Sequence, residues 1–436
     1  MAHNSFDALV IGAGVIGCSV AYGVAGTGRK VCVVDRGYGA GGGSTSASST
    51  VVRFNYSTWA GVATAWESRQ AWLDWAAHLG AQSERESLAR LITVGGLTLD
   101  SPGQQRETVL KLFDRTGVPY QVWDAAAIRQ HLPYLTTGRF YPPKPISDPA
   151  FWSEPNGQVS GYWTPDAGFV DDPQLAAQNL MEAARRLGTE FRFRSSVSAI
   201  RQRNGRAAGV ELSNGTLVEA PVIVNVAGPH SGAINRLAEV GADFNVTTRP
   251  MRQEVHQLPA PPGYNTDLPG PLVADLDLGT YFRGTLGDSM IVGGTEPECD
   301  PLEWLDEPDD FNIGPTRQRY EAQTLRAARR MPTLKLPDEP KGVAGIYDVS
   351  DDWIPVYDRT DLDGFYVAIG TSGNQFKNAP VVGDYLAAII DACEDGHDHD
   401  TSPVSVTLPR TGHRVDLAHY SRRRAINTNS SFTVMG

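Results

Sequence analysis

The sequence predicts an α/β protein in which a parallel βαβ layer is joined to a second, strand-rich region. Three observations predict this. Asp7-Ala-Leu-Val-Ile-Gly12 is a short apolar run closed by glycine, the mark of a buried strand. Val15, Ile16, Cys18, Val20, Ala21 and Val24 follow at helical spacing, and Lys30-Val-Cys-Val-Val-Asp35 is a second apolar run. Strand, glycine turn, helix and strand in that order make a right-handed crossover.

The turn is Gly12-Ala13-Gly14-Val15-Ile16-Gly17, a GxGxxG. Gly12 permits the tight bend, Gly14 lets backbone N–H groups approach a diphosphate, and Gly17 lets the helix pack close on the strand. The helix N-terminus adds partial positive charge. Asp35 ends the second strand, where a carboxylate accepts hydrogen bonds from a ribose diol. The signature therefore predicts a bound dinucleotide. The following segment, Gly37 to Thr50, is built of small residues and leads to Val51-Val52-Arg53. Its length and position suit a loop wrapped over a flavin.

Later elements extend the plan. Asp166-Ala-Gly-Phe-Val-Asp-Asp-Pro-Gln-Leu175 caps a helix running to about Gly188, and a strand is expected over 189–194. Ser196–Ile200 and the Asn214-Gly215 hairpin lead to Val222-Ile-Val-Asn-Val-Ala-Gly-Pro-His-Ser231, a buried strand ending in glycine before a helix. Strands are expected over 247–258, 281–283 and 290–293, and a helix from Pro315 to about Arg330. Gly364–Gly370 is another strand, followed by Thr-Ser-Gly-Asn-Gln-Phe-Lys377 and a helix over 379–392. Residues 139–163, rich in proline and aromatics, form either a lid or a packed surface loop.

Length and charge bound the function. At 436 residues, the chain is long enough to bury a core without staples. With 38 basic and 50 acidic residues its charge is −12, unsuited to non-specific nucleic-acid binding or to an anionic membrane. The four cysteines lack CxxC spacing, so neither a zinc knuckle nor a thioredoxin-like motif is expected, and a reducing compartment is. The uncharged stretch 8–28 holds too many glycines for a membrane span and lacks a basic flank before it, so a cytoplasmic protein is expected.

Taken together, the GxGxxG with Asp35-Arg36, the Gly/Ser loop ending at Arg53, "DAGFVDDP" with Val197, "VNVAGPHS", "GTSGNQFK" and the closing "RVDLAHYSRRR" resemble the D-amino-acid oxidase/sarcosine oxidase family of FAD-dependent amine oxidoreductases, over nearly the whole chain. The resemblance implies an FAD-binding Rossmann-like domain (1–90, 160–240 and 340–436) and a discontinuous α+β substrate domain on an antiparallel sheet (91–159 and 241–339). It implies FAD contacts at Gly12, Gly14, Val15, Ile16, Gly17, Asp35 and Arg36, and in the loop at Gly43, Ser44, Thr45 and Ser46. Later contacts are implied at Val197, Ala227, Gly228, Gly345 and Gly370, and at Gly373, Asn374, Gln375, Phe376 and Lys377.

In this family the flavin accepts hydride from an amine and the imine is hydrolysed by water. Arg53 and Lys377 match positions that grip a substrate carboxylate, which implies a small anionic amine substrate, and His256, Tyr281 and Arg283 are further candidates for substrate contact. A Cys near Val343–Tyr347 or a His in the Gly/Ser loop tethers the flavin in covalent members. Here Val-Ala-Gly-Ile-Tyr, Ser46 and Ala47 occupy those places, so non-covalent FAD is expected. Ile291 stands where some members place a lysine over the flavin, leaving open oxygen or another electron acceptor. His230 is expected to pack on the cofactor domain. Asp348, Asp351 and Asp352 are read as loop carboxylates near the flavin edge, and His397-Asp-His-Asp400 as solvated surface without a metal. Two alternatives stay open: an FAD dehydrogenase of a C–O bond, and an FAD-containing assembly factor without turnover.

Overall fold

A computed structural model describes residues 4–81, 87–102 and 106–435. Its first layer is a six-stranded sheet in the order Val356–Arg359, Phe365–Ile369, Val222–Asn225, Ala8–Ile11 (β1), Val31–Val34 (β2) and Glu190–Arg192. All neighbours are parallel except Val356–Arg359, which runs antiparallel on the edge. The central strands are buried throughout, which is why their sequences read as unbroken apolar runs.

The helix Val15–Gly26 (α1) crosses from β1 to β2 and packs between two others, Pro173–Arg186 and Ala379–Glu394. Asp172 caps the first of these through the N–H groups of Gln174 and Leu175, with Pro173 in its opening turn. The crossing with Ala379–Glu394 is close. A Cβ on Gly23 would lie 2.4 Å from the Gly383 carbonyl, and one on Gly383 would lie 2.1 Å from the Ser19 carbonyl. Ser19 Oγ donates to Ala379 O and accepts from Gly383 N. Gly23 of the uncharged stretch thus serves helix contact. No helix among the described residues is long and apolar enough to cross a membrane.

The second layer is a nine-stranded sheet. Thr248–Pro259 pairs with Glu303–Trp304, Ser289–Gly294 and Gly342–Ser350. The sheet continues through Thr280–Gly284, Leu272–Asp275, Gly96–Leu99 and Gly161–Thr164 to Gln121–Trp123. It is antiparallel except where Leu272–Asp275 meets Gly96–Leu99 in parallel. Two of its strands fall outside the expected substrate spans. Gly161–Thr164 and Gly342–Ser350 lie beyond the boundaries at 160 and 340, yet their hydrogen bonds place them in this sheet. The helix Arg317–Arg330, capped by Thr316 Oγ1, covers one face and buries Tyr320, Ala327 and Met331 against Phe282 and Val292.

Residues 139–163 form the packed loop of the two readings. The Phe140 and Tyr141 N–H groups donate to buried Asp277, which pairs with buried Arg330, and the segment ends in the strand Gly161–Thr164.

The helix crossing predicts a contrast. Gly23→Ala gains helix propensity of about 1 kcal/mol but drives a methyl into backbone, so a net loss of about 1–3 kcal/mol is expected by urea unfolding at fixed FAD. Gly26→Ala, where a Cβ meets nothing within 4 Å, is expected to be neutral or stabilising.

Candidate functional site

The turn after β1 is shaped by contacts that only glycine allows. Gly12 has φ +112, and a Cβ there would lie 2.4 Å from Val226 O; one on Gly17 would lie 2.0 Å from Gly12 O. Gly14 is extended at the N-cap of α1 and supplies no capping side chain, and the first turn holds no acid. The Val15 N–H donates to Thr45 Oγ1 at 3.0 Å. The start of α1, including Ile16, is thus free of its own side-chain anion and covered by a hydroxyl-bearing loop, a donor set suited to a diphosphate. Asp35 Oδ2 accepts from Ala13 N at 2.6 Å, fixing its carboxylate beside the turn. Its backbone carbonyl accepts from Ser195 N, which brings Val197 to the same end of the sheet. Ala227 and Gly228 follow Val226 along the rim. These residues fit an FAD dinucleotide.

Arg36 is engaged elsewhere. Its guanidinium pairs with Asp309, which also lies 3.0 Å from His230 Nε2, so Arg36 and His230 tie the first layer to the loop holding Asp309.

Residues Gly43 to Ser48 form successive turns, with Ser46 N donating to Gly43 O and Ala47 N to Ser44 O. Ser44 Oγ donates to Ile346 O, and a Cβ on Gly345 would meet Ala47 at 2.8 Å. The small-residue loop therefore rests on the second sheet and runs straight into the central cavity.

That cavity lies between the second sheet and the loop after strand Phe365–Ile369. Arg53, Lys377 and Tyr281 line it, with Tyr347, Ser49, Asn374 and Phe376 and, from a distant segment, Val434 and Met435. Arg53 and Lys377 are 6% and 3% exposed, and both stand over the Tyr56 ring, at 5.4 and 5.0 Å from its centre. Lys377 Nζ donates to Tyr56 Oη at 2.8 Å and to Asn374 O at 2.5 Å. Arg53 donates to the carbonyls of Asn55, Val434 and Met435. Neither forms an ion pair among the described residues. Burial, with Arg53 beside it, pushes the Lys377 ammonium well below its ordinary pKa, and burial lowers that of Arg53. Burial also raises the Tyr281 and Tyr347 phenols, so both stay protonated at neutral pH.

Several expected residues lie elsewhere. His256 is fully buried on the helix-covered face of its strand, with Arg252, Glu254 and Leu258, its ring 5.4 Å from that of Tyr320. Strand alternation turns these even positions away from the cavity, and burial pushes the imidazole down to about 4. Arg283 donates to Ser49 O and Gly284 O and stacks on Phe169, which makes it a brace of the loop. Gln375 points inward, accepting from Tyr357 Oη and Asn378.

Asp348 and Asp352 are buried rather than solvated. Asp348 accepts from the Gly370 N–H at 2.6 Å, and burial lifts its pKa to about 7; Asp352 pairs with Arg424. Only Asp351 is exposed, accepting from Thr247. His399 and Asp400 likewise belong to a buried cluster, where Arg422 joins Asp358, Asp400 and Asp243.

Glu296, absent from the expectations, stands behind the cavity. Its Oε2 accepts from Val434 N at 2.9 Å and its Oε1 from Gln253 Nε2 at 3.1 Å. It sits in a loop of several acids, where no local pattern singles it out.

Comparison with known proteins agrees with this geometry. Residues 7–389 match the profile of the DAO family, described as "FAD dependent oxidoreductase". The chain is 31% identical to FAD-dependent oxidoreductase domain-containing protein 1 of Mus musculus over 190 residues, 40% of this chain and 36% of that one, so the match spans about a third of that relative's length. It is 23% identical to sarcosine oxidase subunit beta of Rhodobacter capsulatus, over 88% of this chain and 84% of that one. The L-proline dehydrogenase structure from P. horikoshii shares the fold, with a TM-score of 0.73 at 20% identity, covering 96% of this chain and 97% of that one.

The depressed Lys377 pKa makes stability depend on pH. Between that depressed value and the ordinary value of 10.5, the folded protein holds fewer protons than the unfolded chain, so stability rises with pH across that window. Lys377→Met is expected to flatten the rise and to increase stability at neutral pH, read by urea unfolding across pH, because it removes an unpaired buried charge.

Proposed function

The chain belongs to the DAO family of FAD-dependent oxidoreductases, and from that premise we propose that it oxidises the C–N bond of a small amino-acid-like amine carrying a carboxylate. The observation that carries this reading is the pair of buried cations, Arg53 and Lys377, in one cavity, neither in an ion pair among the described residues. Such a site favours an anion strongly, because each cation has already lost its water. Sarcosine and proline, named in two relatives, are secondary amino acids with a single carboxylate.

When bound, FAD supplies the hydride acceptor at its ring N5. The chain's residues do the positioning. Arg53 offers a planar fork for bidentate capture of a carboxylate, and Lys377, braced by Tyr56 and the Asn374 carbonyl, adds a point charge. Tyr281 and Tyr347 wall the cavity and exclude water. The Val434 and Met435 carbonyls occupy the Arg53 donors and have to leave for a substrate carboxylate to take them. The imine product is then hydrolysed by water.

FAD is held without a covalent bond, since Gly345, Ser46 and Ala47 offer neither thiol nor imidazole. Ile291 brings no cation from its strand, which favours an electron acceptor other than oxygen.

Anaerobic mixing with sarcosine, L-proline, a 2-hydroxy acid and glycerol phosphate tests the reading. Bleaching of the flavin by an amine alone is expected; bleaching by a hydroxy compound alone overturns it in favour of C–O oxidation. Arg53→Ala is expected to lower kcat/KM for the amine by about 10- to 100-fold, the worth of a charge-assisted hydrogen bond. A variant with full efficiency removes the carboxylate claim. After acid precipitation the yellow colour is expected in the supernatant; flavin in the pellet contradicts non-covalent binding.

A further inference from the structure

Residue 434 is held in the cavity by its own backbone. Its N–H donates to Glu296 Oε2 at 2.9 Å, and its carbonyl accepts from the Arg53 guanidinium. The atoms between those two contacts are N, Cα and the carbonyl carbon, which is the skeleton of an α-amino acid. The cation takes the oxygen pole and the carboxylate takes the nitrogen pole. The Val434 side chain packs on an apolar cluster of Met251, Val349 and Trp353. The segment thus lines the cavity with the polarity of an amino acid.

We propose that Glu296 is the specificity-determining residue for the amine end of the substrate, accepting an N–H from an α-amino acid whose carboxylate Arg53 holds. The proposal rests on the amine reading above and deepens it: the nitrogen belongs one carbon from the carboxylate, as in Val434. When ionised, Glu296 also takes a proton from the substrate ammonium. An N–H bond breaks, an O–H bond forms on the carboxylate, and the neutral amine that donates hydride remains. Gln253 holds the second carboxylate oxygen and fixes its direction.

The surroundings give this carboxylate a distinct titration. Burial pushes its pKa up to about 8, against the lowering effects of the Val434 N–H, Arg319 and Arg53; Asp300 raises it further. The Tyr281 and Tyr347 phenols face the same space. The ionised form accumulates as pH rises, so kcat/KM for an amino acid is expected to climb on a limb near pH 8.

The test compares FAD-loaded wild type with Glu296→Gln on sarcosine and L-proline, and uses propionate, a carboxylate without an amine, as a binding probe read by the flavin visible spectrum. Glu296→Gln is expected to lose about 10- to 100-fold in kcat/KM for the amine and to lose the limb near pH 8. Its propionate affinity is expected to stay within about threefold of wild type, since that ligand needs only Arg53 and Lys377. A variant that keeps wild-type efficiency and the limb overturns the proposal, as does equal loss of propionate and amine. Glu296→Asp decides the matter if glutamine costs the protein its FAD: the limb is expected to persist with part of the efficiency, and its disappearance overturns the proposal. A wild type reduced only by hydroxy compounds overturns the amine reading itself, a different result from failure of Glu296 alone.

Discussion

Two cations buried in one cavity, neither in an ion pair among the described residues, set the terms for this molecule. Desolvating Arg53 and Lys377 opposes folding, and the surrounding structure is arranged to tolerate it. Tyr56 Oη and the Asn374 carbonyl take the lysine, and three backbone carbonyls take the arginine. None of these partners carries a full negative charge, so the electrostatic demand is met in part and left open to a ligand. The small-residue loop, the late glycine turns and the closing segment all converge on that place.

The closing segment gets there by an ionic route. Arg422 is fully buried among Asp243, Asp358 and Asp400, and Arg424 is held by Asp352. These pairs fasten residues 421–424 to the edge strand Val356–Arg359 and its preceding loop. The chain then runs on to Val434 and Met435 in the cavity. The basic cluster near the end of the sequence is therefore an internal anchor, and the acidic stretch around 398–400 is half of its counterpart.

How far the sequence could be read follows from how local each feature is. The βαβ unit and its glycine turn lie within thirty residues, and Gly12 and Gly17 answer contacts inside that unit or just after its neighbouring strand, so spacing alone disclosed them. Arg53, Tyr281 and Lys377 come from three distant segments that line one cavity; Arg53 and Lys377 were singled out through the motifs that carry them, and Tyr281 only through its place on an expected strand. His256 was misplaced because the strand Thr248–Pro259 mixes polar and apolar residues on both faces; alternation says that neighbours diverge but not which set meets the cavity. Glu296 and Val434 carried no signal at all. Their roles arise from tertiary contacts between a loop after Ser289–Gly294 and a segment more than a hundred residues later. The acids at 352 and 400 were read as solvated because their arginine partners lie later in the chain, and Asp348 because its donor, the Gly370 N–H, belongs to another loop.

The strand Gly342–Ser350 belongs to the second sheet over its whole length, pairing with Thr248–His256. At its far end Ser350 N bonds Ser372 Oγ, Asp348 O accepts from Ser372 N, and the Asp348 carboxylate accepts from Gly370 N. The loop that carries Lys377 is thereby stitched to the sheet that carries Tyr281 and Tyr347. Three hydrogen bonds thus join the two layers beside the cavity. Admission of a ligand to the Arg53 donors falls to the withdrawal of the turn at residues 430–435, so entry and exit would be timed by a local loop motion.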